Sequence, residues 1–128
     1  MGSRMAYVIV WDFRVAPGTE RQFEQAYGAD GEWVQCFRWD HAYIRTDLLR
    51  DTRDAGRYVT SDVWESEAAY RAFRAAHTDE YGEIDARCEA LTESEREVGS
   101  FVTTKAFSLV ADGRDGALLS RRIQDWRS

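Results

Sequence analysis

The chain reads as one α+β domain of the ferredoxin-like kind, with an antiparallel sheet and the element order β-α-β-β-α-β. Three observations predict it. Runs rich in β-branched and aromatic residues, read as strands, stand at Tyr7–Val15, Tyr43–Leu49 and Arg57–Trp64. Helical stretches with aromatic residues three and four apart follow the first and third of these. The polar run from Arg50 to Gly56 joins the second and third strands as a hairpin loop.

The first strand meets Pro17-Gly18, a turn pair. Thr19-Glu20-Arg21-Gln22 then has the form of a capping box, with the Thr19 hydroxyl and the Gln22 side chain placed to satisfy free backbone donors. Phe23, Ala26 and Tyr27 make one stripe of the helix behind it, and Gly28-Ala29-Asp30-Gly31 interrupts that helix. A short second piece, Glu32 to Arg38, sets Trp33 and Phe37 on one face. In the other half Ser66 is placed to cap a helix through Ala76, whose inward stripe is Tyr70, Phe73 and His77. Asp79 to Leu91 continues or restarts it, with Tyr81, Ile84, Cys88 and Leu91 on one side. Glu95 to Val102 reads as the fourth strand.

The full length of 128 residues suits one domain and not two cores. Residues 1–4 read as a leader before a start at Met5, residues 5–102 as the domain, and residues 103–128 as a C-terminal extension. In that extension Leu119, Ile123 and Trp126 fall on one helical face, which either caps its own domain or, the reading favoured here, reaches across a dimer interface. The first strand points toward the same partner. Tyr7, Ile9, Trp11 and Phe13 occupy one face, yet Val8 and Val10 make the other apolar too. A sheet half open to water alternates apolar and polar residues, so the second face is expected to pack on a second copy of the chain.

The net charge of −6, with basic residues scattered along the chain, excludes the concentrated basic footprint of a nucleic-acid binder. No stretch approaches the roughly 20 apolar residues of a membrane span, and no signal peptide is evident. Cys36 and Cys88 are too few and too far apart for a disulfide framework or a zinc site. Buried free thiols and a cytoplasmic location are expected. No glycine-rich phosphate loop and no metal-ligand spacing occurs, so no cofactor is expected.

Three segments resemble the antibiotic biosynthesis monooxygenase family of the dimeric α+β barrel superfamily. They are Val8 to Gly18, Leu48-Leu49-Arg50-Asp51, and Trp64-Glu65-Ser66-Glu67-Ala68-Ala69-Tyr70. The resemblance runs from about Ala6 to Val102 and implies a homodimer that binds a hydrophobic small molecule. The family holds cofactor-free oxygenases of polycyclic phenols, haem degraders, quinol oxygenases and proteins of no known reaction. Haem degraders place an Asn on the first strand and a Trp and a His on the second long helix. Trp11, Phe73 and Glu83 stand at those positions here, which speaks against haem degradation.

The implied reaction is cofactor-independent monooxygenation of an aromatic phenol- or quinol-like compound. A ligand-binding or stress-linked protein of the same fold, and an isomerase or cyclase, are the alternatives. His77 is the first candidate for a base that takes a phenolic proton; its other reading is a partly buried helix-end histidine. Trp11, Tyr58, Trp64, Tyr70 and Phe73 are candidate pocket walls, or ordinary core aromatics. Asp62 shares a strand face with Thr60 and Trp64 and is the second polar candidate, or else a solvated rim charge.

Overall fold

The computed structural model describes residues 5–104. The leader of residues 1–4 and the stripe of Leu119, Ile123 and Trp126 lie outside the described residues. Four strands and four α-helices follow the expected order: β1 (Tyr7–Val15), α1 (Glu20–Tyr27), α2 (Glu32–Phe37), β2 (Tyr43–Arg50), β3 (Arg57–Trp64), α3 (Glu67–Ala76), α4 (Thr78–Cys88) and β4 (Thr92–Val102). A single 3-10 turn, Glu89–Leu91, leads into β4. The sheet order is β2-β3-β1-β4 and every pairing is antiparallel. β4 begins at Thr92, earlier than the sequence suggests, because its first polar residues still pair with β1 as far as Val15.

Alternation along β1 and β3 decides where the core lies. Tyr7, Ile9, Phe13 and Val15 of β1 are buried, as are Tyr58, Thr60 and Trp64 of β3. They meet Phe23 and Tyr27 of α1, Trp33 and Phe37 of α2, Phe73 of α3, and Ile84 and Cys88 of α4 in one aromatic-rich cluster. Both cysteines are buried free thiols. The opposite face of the sheet carries no described helix. There Leu49 and Phe101 are more than half exposed, beside the partly buried Val8, Val10 and Val59. Its charges are paired at one end: Arg57 and Arg96 both donate to Asp12, and Arg14 grips Asp54 with two bonds of 2.8 and 2.6 Å.

The turns follow local chemistry in most places. Ala16 to Thr19 closes a type II turn, with the Thr19 amide on the Ala16 carbonyl at 3.0 Å and Gly18 at a φ of +87°. Ser66 caps α3 as expected, its hydroxyl accepting the Ala69 amide at 3.1 Å. The capping box at Thr19 does not form. The Thr19 hydroxyl donates to the carbonyls of Ala16 and Leu91 instead, at 2.7 and 3.2 Å. Leu91 is brought there by the return of the chain into β4, a long-range partner that no local pattern announces.

Candidate active site

A cavity of about 260 Å³ lies between the sheet and the helices. Its aromatic walls come from Trp11 and Phe13 of β1, Tyr27 of α1, Trp33 and Phe37 of α2, and Tyr81 of α4. Its polar groups are Thr46 of β2, Thr60 and Asp62 of β3, Arg74 of α3, Asp85 of α4, and Glu95 and Glu97 of β4. A hollow that sets polar and charged groups between aromatic walls can hold and orient a small molecule.

Two bulges aim those groups. In β2 the pairing with β3 slips between Tyr43 and Arg45, leaving Ile44 as the extra residue. The slip puts Thr46 opposite Asp62 on the helix side of the sheet, with Tyr43 also on that side. The Tyr43 hydroxyl donates to Thr46 Oγ1 at 2.7 Å, and Thr46 donates to Asp62 Oδ1 at 2.7 Å. In β4 the register shifts between the partners of Val10 and Trp11, and Val98 is the extra residue. Beyond it Glu97 sits opposite Trp11 and Glu95 opposite Phe13, so both acids turn toward the cavity. Bulges beside a site commonly re-aim side chains in this way.

Asp62 is the chemically distinctive group. Burial pushes its carboxyl up to about 6, against the opposing effect of the Thr46 hydrogen bond. Oδ2 takes no hydrogen bond among the described residues, and the partly buried Asp62 lines the cavity. Burial, with Asp85 nearby, also raises the Glu95 carboxyl. Arg74 lies flat on the Tyr81 ring, 3.7 Å from its centroid, and donates to the Tyr70 hydroxyl at 2.8 Å.

Of the residues singled out from sequence, Trp11 and Asp62 line this cavity. Tyr58, Trp64, Tyr70, Phe73 and His77 do not. Tyr58 is almost wholly buried and donates to Glu24 at 2.5 Å. Trp64 and Phe73 are core plugs, 5.0 Å apart between ring centres. Tyr70 packs against Trp64 and Tyr7. His77 marks the break between α3 and α4, its ring tilted against those of Phe73 at 4.7 Å and Trp39 at 5.4 Å. Its Nδ1 has no hydrogen bond among the described residues and stands 3.8 Å from Glu80. The face it shares with Phe73 turns it to the helix junction and away from the cavity wall. Thr46, Glu95 and Glu97 escape sequence reasoning because each depends on a bulge. Tyr81 and Asp85, four apart on α4, carry a signal that helical spacing could have shown.

The profile of the antibiotic biosynthesis monooxygenase family matches residues 6–87. The chain belongs to that family. Solved relatives share its fold at low sequence identity. An antibiotic biosynthesis monooxygenase family protein from Nitrosomonas europaea superposes with a TM-score of 0.64 at 17% identity, covering 84% of this chain and 99% of that one. SnoaB, a cofactor-independent oxygenase from Streptomyces nogalater, gives 0.62 at 22% identity, covering 82% and 97%. PA3566 from Pseudomonas aeruginosa gives 0.59 at 18% identity, covering 83% and 100%. No curated protein matches the sequence. In this family member the hollow lies inside a four-stranded antiparallel α+β domain. No helix among the described residues is long and apolar enough to cross a membrane.

Proposed function

We propose that this family member is a cofactor-independent monooxygenase that oxidises an electron-rich aromatic small molecule, with Asp62 as the base. One observation carries the proposal: an aromatic-walled cavity in which a single carboxylate is oriented by the Tyr43–Thr46 hydrogen-bond chain and keeps one oxygen open to a ligand. The oxygenase activity of SnoaB on the same fold supports it.

The chemistry needs little from the protein. Asp62 accepts the proton of a ring hydroxyl. The resulting phenolate is electron-rich enough to reduce dioxygen, one oxygen atom bonds to ring carbon, and the other leaves as water. A phenol and dioxygen thereby become a quinone and water, with the substrate itself as the reductant. The protein contributes a dry pocket, orientation and a base whose affinity for protons sits near the working pH.

Oxygen uptake by the chelator-treated protein, with a panel of phenols and hydroquinones, tests this. Stoichiometric uptake without flavin, haem or metal is expected. The rate should fall as pH drops through about 6, because a protonated carboxyl cannot accept the proton. Binding of such compounds without oxygen uptake would overturn the catalytic reading and leave a ligand-binding protein of the same fold.

The same reading takes the chain as a homodimer joined through the open sheet face, and the two buried free thiols fit a reducing compartment such as the cytoplasm. The exposed Leu49 and Phe101 beside Val8, Val10 and Val59 support that interface. An obligate contact of this kind buries about 2,000 Å² or more. Sedimentation at micromolar concentration should therefore show a dimer, and Phe101→Glu should shift it to monomer. A wild-type monomer would exclude this interface.

A further inference from the structure

We infer that the cavity selects ligands that join a flat aromatic body to a protonated nitrogen, in preference to neutral or anionic molecules of the same size. The inference rests on the reading of this cavity as the substrate site and names the class of molecule it takes.

The lining carries four carboxylates, Asp62, Asp85, Glu95 and Glu97, against one guanidinium, Arg74. That guanidinium is already engaged, held against the face of Tyr81 and bonded to the Tyr70 hydroxyl. The acids come from β3, α4 and β4, so they surround the space and do not gather at one point. Among the described residues no group of three or more His, Cys, Asp or Glu side chains is arranged to hold a metal ion. An organic cation spreads its charge over several ångströms and suits such a dispersed set. The walls between the acids include the rings of Trp11 and Trp33, and aromatic rings attract cations through their negative faces.

The energetic argument runs the same way. A carboxylate withdrawn from water is destabilised unless a partner offsets the lost hydration. Asp62 and Glu95 are both raised by burial, so both gain from a positive charge in the cavity. Glu95 and Glu97, turned into the cavity by the β4 bulge, are acceptors for an ammonium N–H, which leaves Asp62 Oδ2 to the ring hydroxyl. An anion would meet four like charges and one occupied guanidinium. A cavity of about 260 Å³ exceeds the roughly 150 Å³ hollow that binds benzene, which leaves room for a two-ring body with a short side chain.

Tryptamine, tryptophol and indole acetate share the indole body and differ at the end of the side chain, as cation, neutral and anion. Titration calorimetry of the full chain at low salt should rank them in that order, with tryptamine about tenfold tighter than tryptophol. Glu97→Gln should shrink the tryptamine advantage over tryptophol several-fold. Asp85→Asn gives the same readout should the β4 variant melt early. Equal affinity for tryptamine and tryptophol, or tighter binding of indole acetate, overturns the charge preference and leaves the cavity itself as a binding site. Binding of none of the three overturns the cavity reading and this inference with it.

Discussion

Asp62→Asn is expected to lower phenol turnover about 100- to 10,000-fold, the usual contribution of a general acid–base group, without unfolding the chain. Asparagine keeps an oxygen that can accept the Thr46 hydroxyl, so the Tyr43–Thr46 chain still has its terminus. What is lost is the ability to take a proton. Stability should move the other way. The folded carboxyl is held at about 6, above its ordinary 3.8, so the fold favours the neutral form. That contribution is fully present below the unfolded value and is lost as pH rises through the folded one. At neutral pH the wild type therefore carries a buried charge that asparagine lacks, and the variant should melt at the same temperature or higher. Thr46→Val offers a finer test. The Thr46 hydrogen bond holds the Asp62 carboxyl down, so its removal should move the acidic limb of the rate profile to higher pH. His77→Ala should remain active, since the ring packs against Phe73 and Trp39 outside the cavity lining. Active Asp62→Asn beside inactive, folded His77→Ala would return the base to His77.

Trp64→Ala should destabilise the domain by about 3–5 kcal/mol, the range for deleting a large buried aromatic. Trp64 is fully buried, and the rings of Phe37, Tyr43, Tyr70 and Phe73 surround it at 5.6, 5.4, 5.5 and 5.0 Å. Small domains have only about 5–15 kcal/mol in total, so the loss is a large share of it. Urea denaturation at neutral pH reads the change directly. Trp64→Phe separates shape from polarity. The buried Trp64 indole N–H has no hydrogen-bond partner among the described residues, so phenylalanine removes an unsatisfied donor while keeping a ring in place. Its cost should be much smaller than that of alanine. A Trp64→Ala protein as stable as wild type would mean that the site collapses around the deletion, and that Trp64 does not anchor the core.

Much of this architecture follows from local patterns. Alternating apolar residues in Tyr7–Val15 and Arg57–Trp64 specify strands and the side each residue faces, because the side-chain period in a strand is two. Ser66 specifies the start of α3, because its hydroxyl reaches an amide three residues on. Asp62 could be singled out because a carboxylate between Thr60 and Trp64 must face inward with them. The rest depends on partners distant in the chain. Thr19 gives up its capping role to a carbonyl at Leu91. Thr46 reaches Asp62 only because β2 bulges at Ile44, and Glu95 and Glu97 enter the cavity only because β4 bulges at Val98. A bulge reverses the faces presented on one side of it relative to the other, and it is set by pairing with a neighbouring strand. The sequence thus determined the fold, the strand faces and the family, all encoded by short-range periodicity and segment identity. Only the tertiary structure decided that Asp62, and not His77, shares a cavity with charged and aromatic groups, because register between strands is a property of the sheet and not of any one segment.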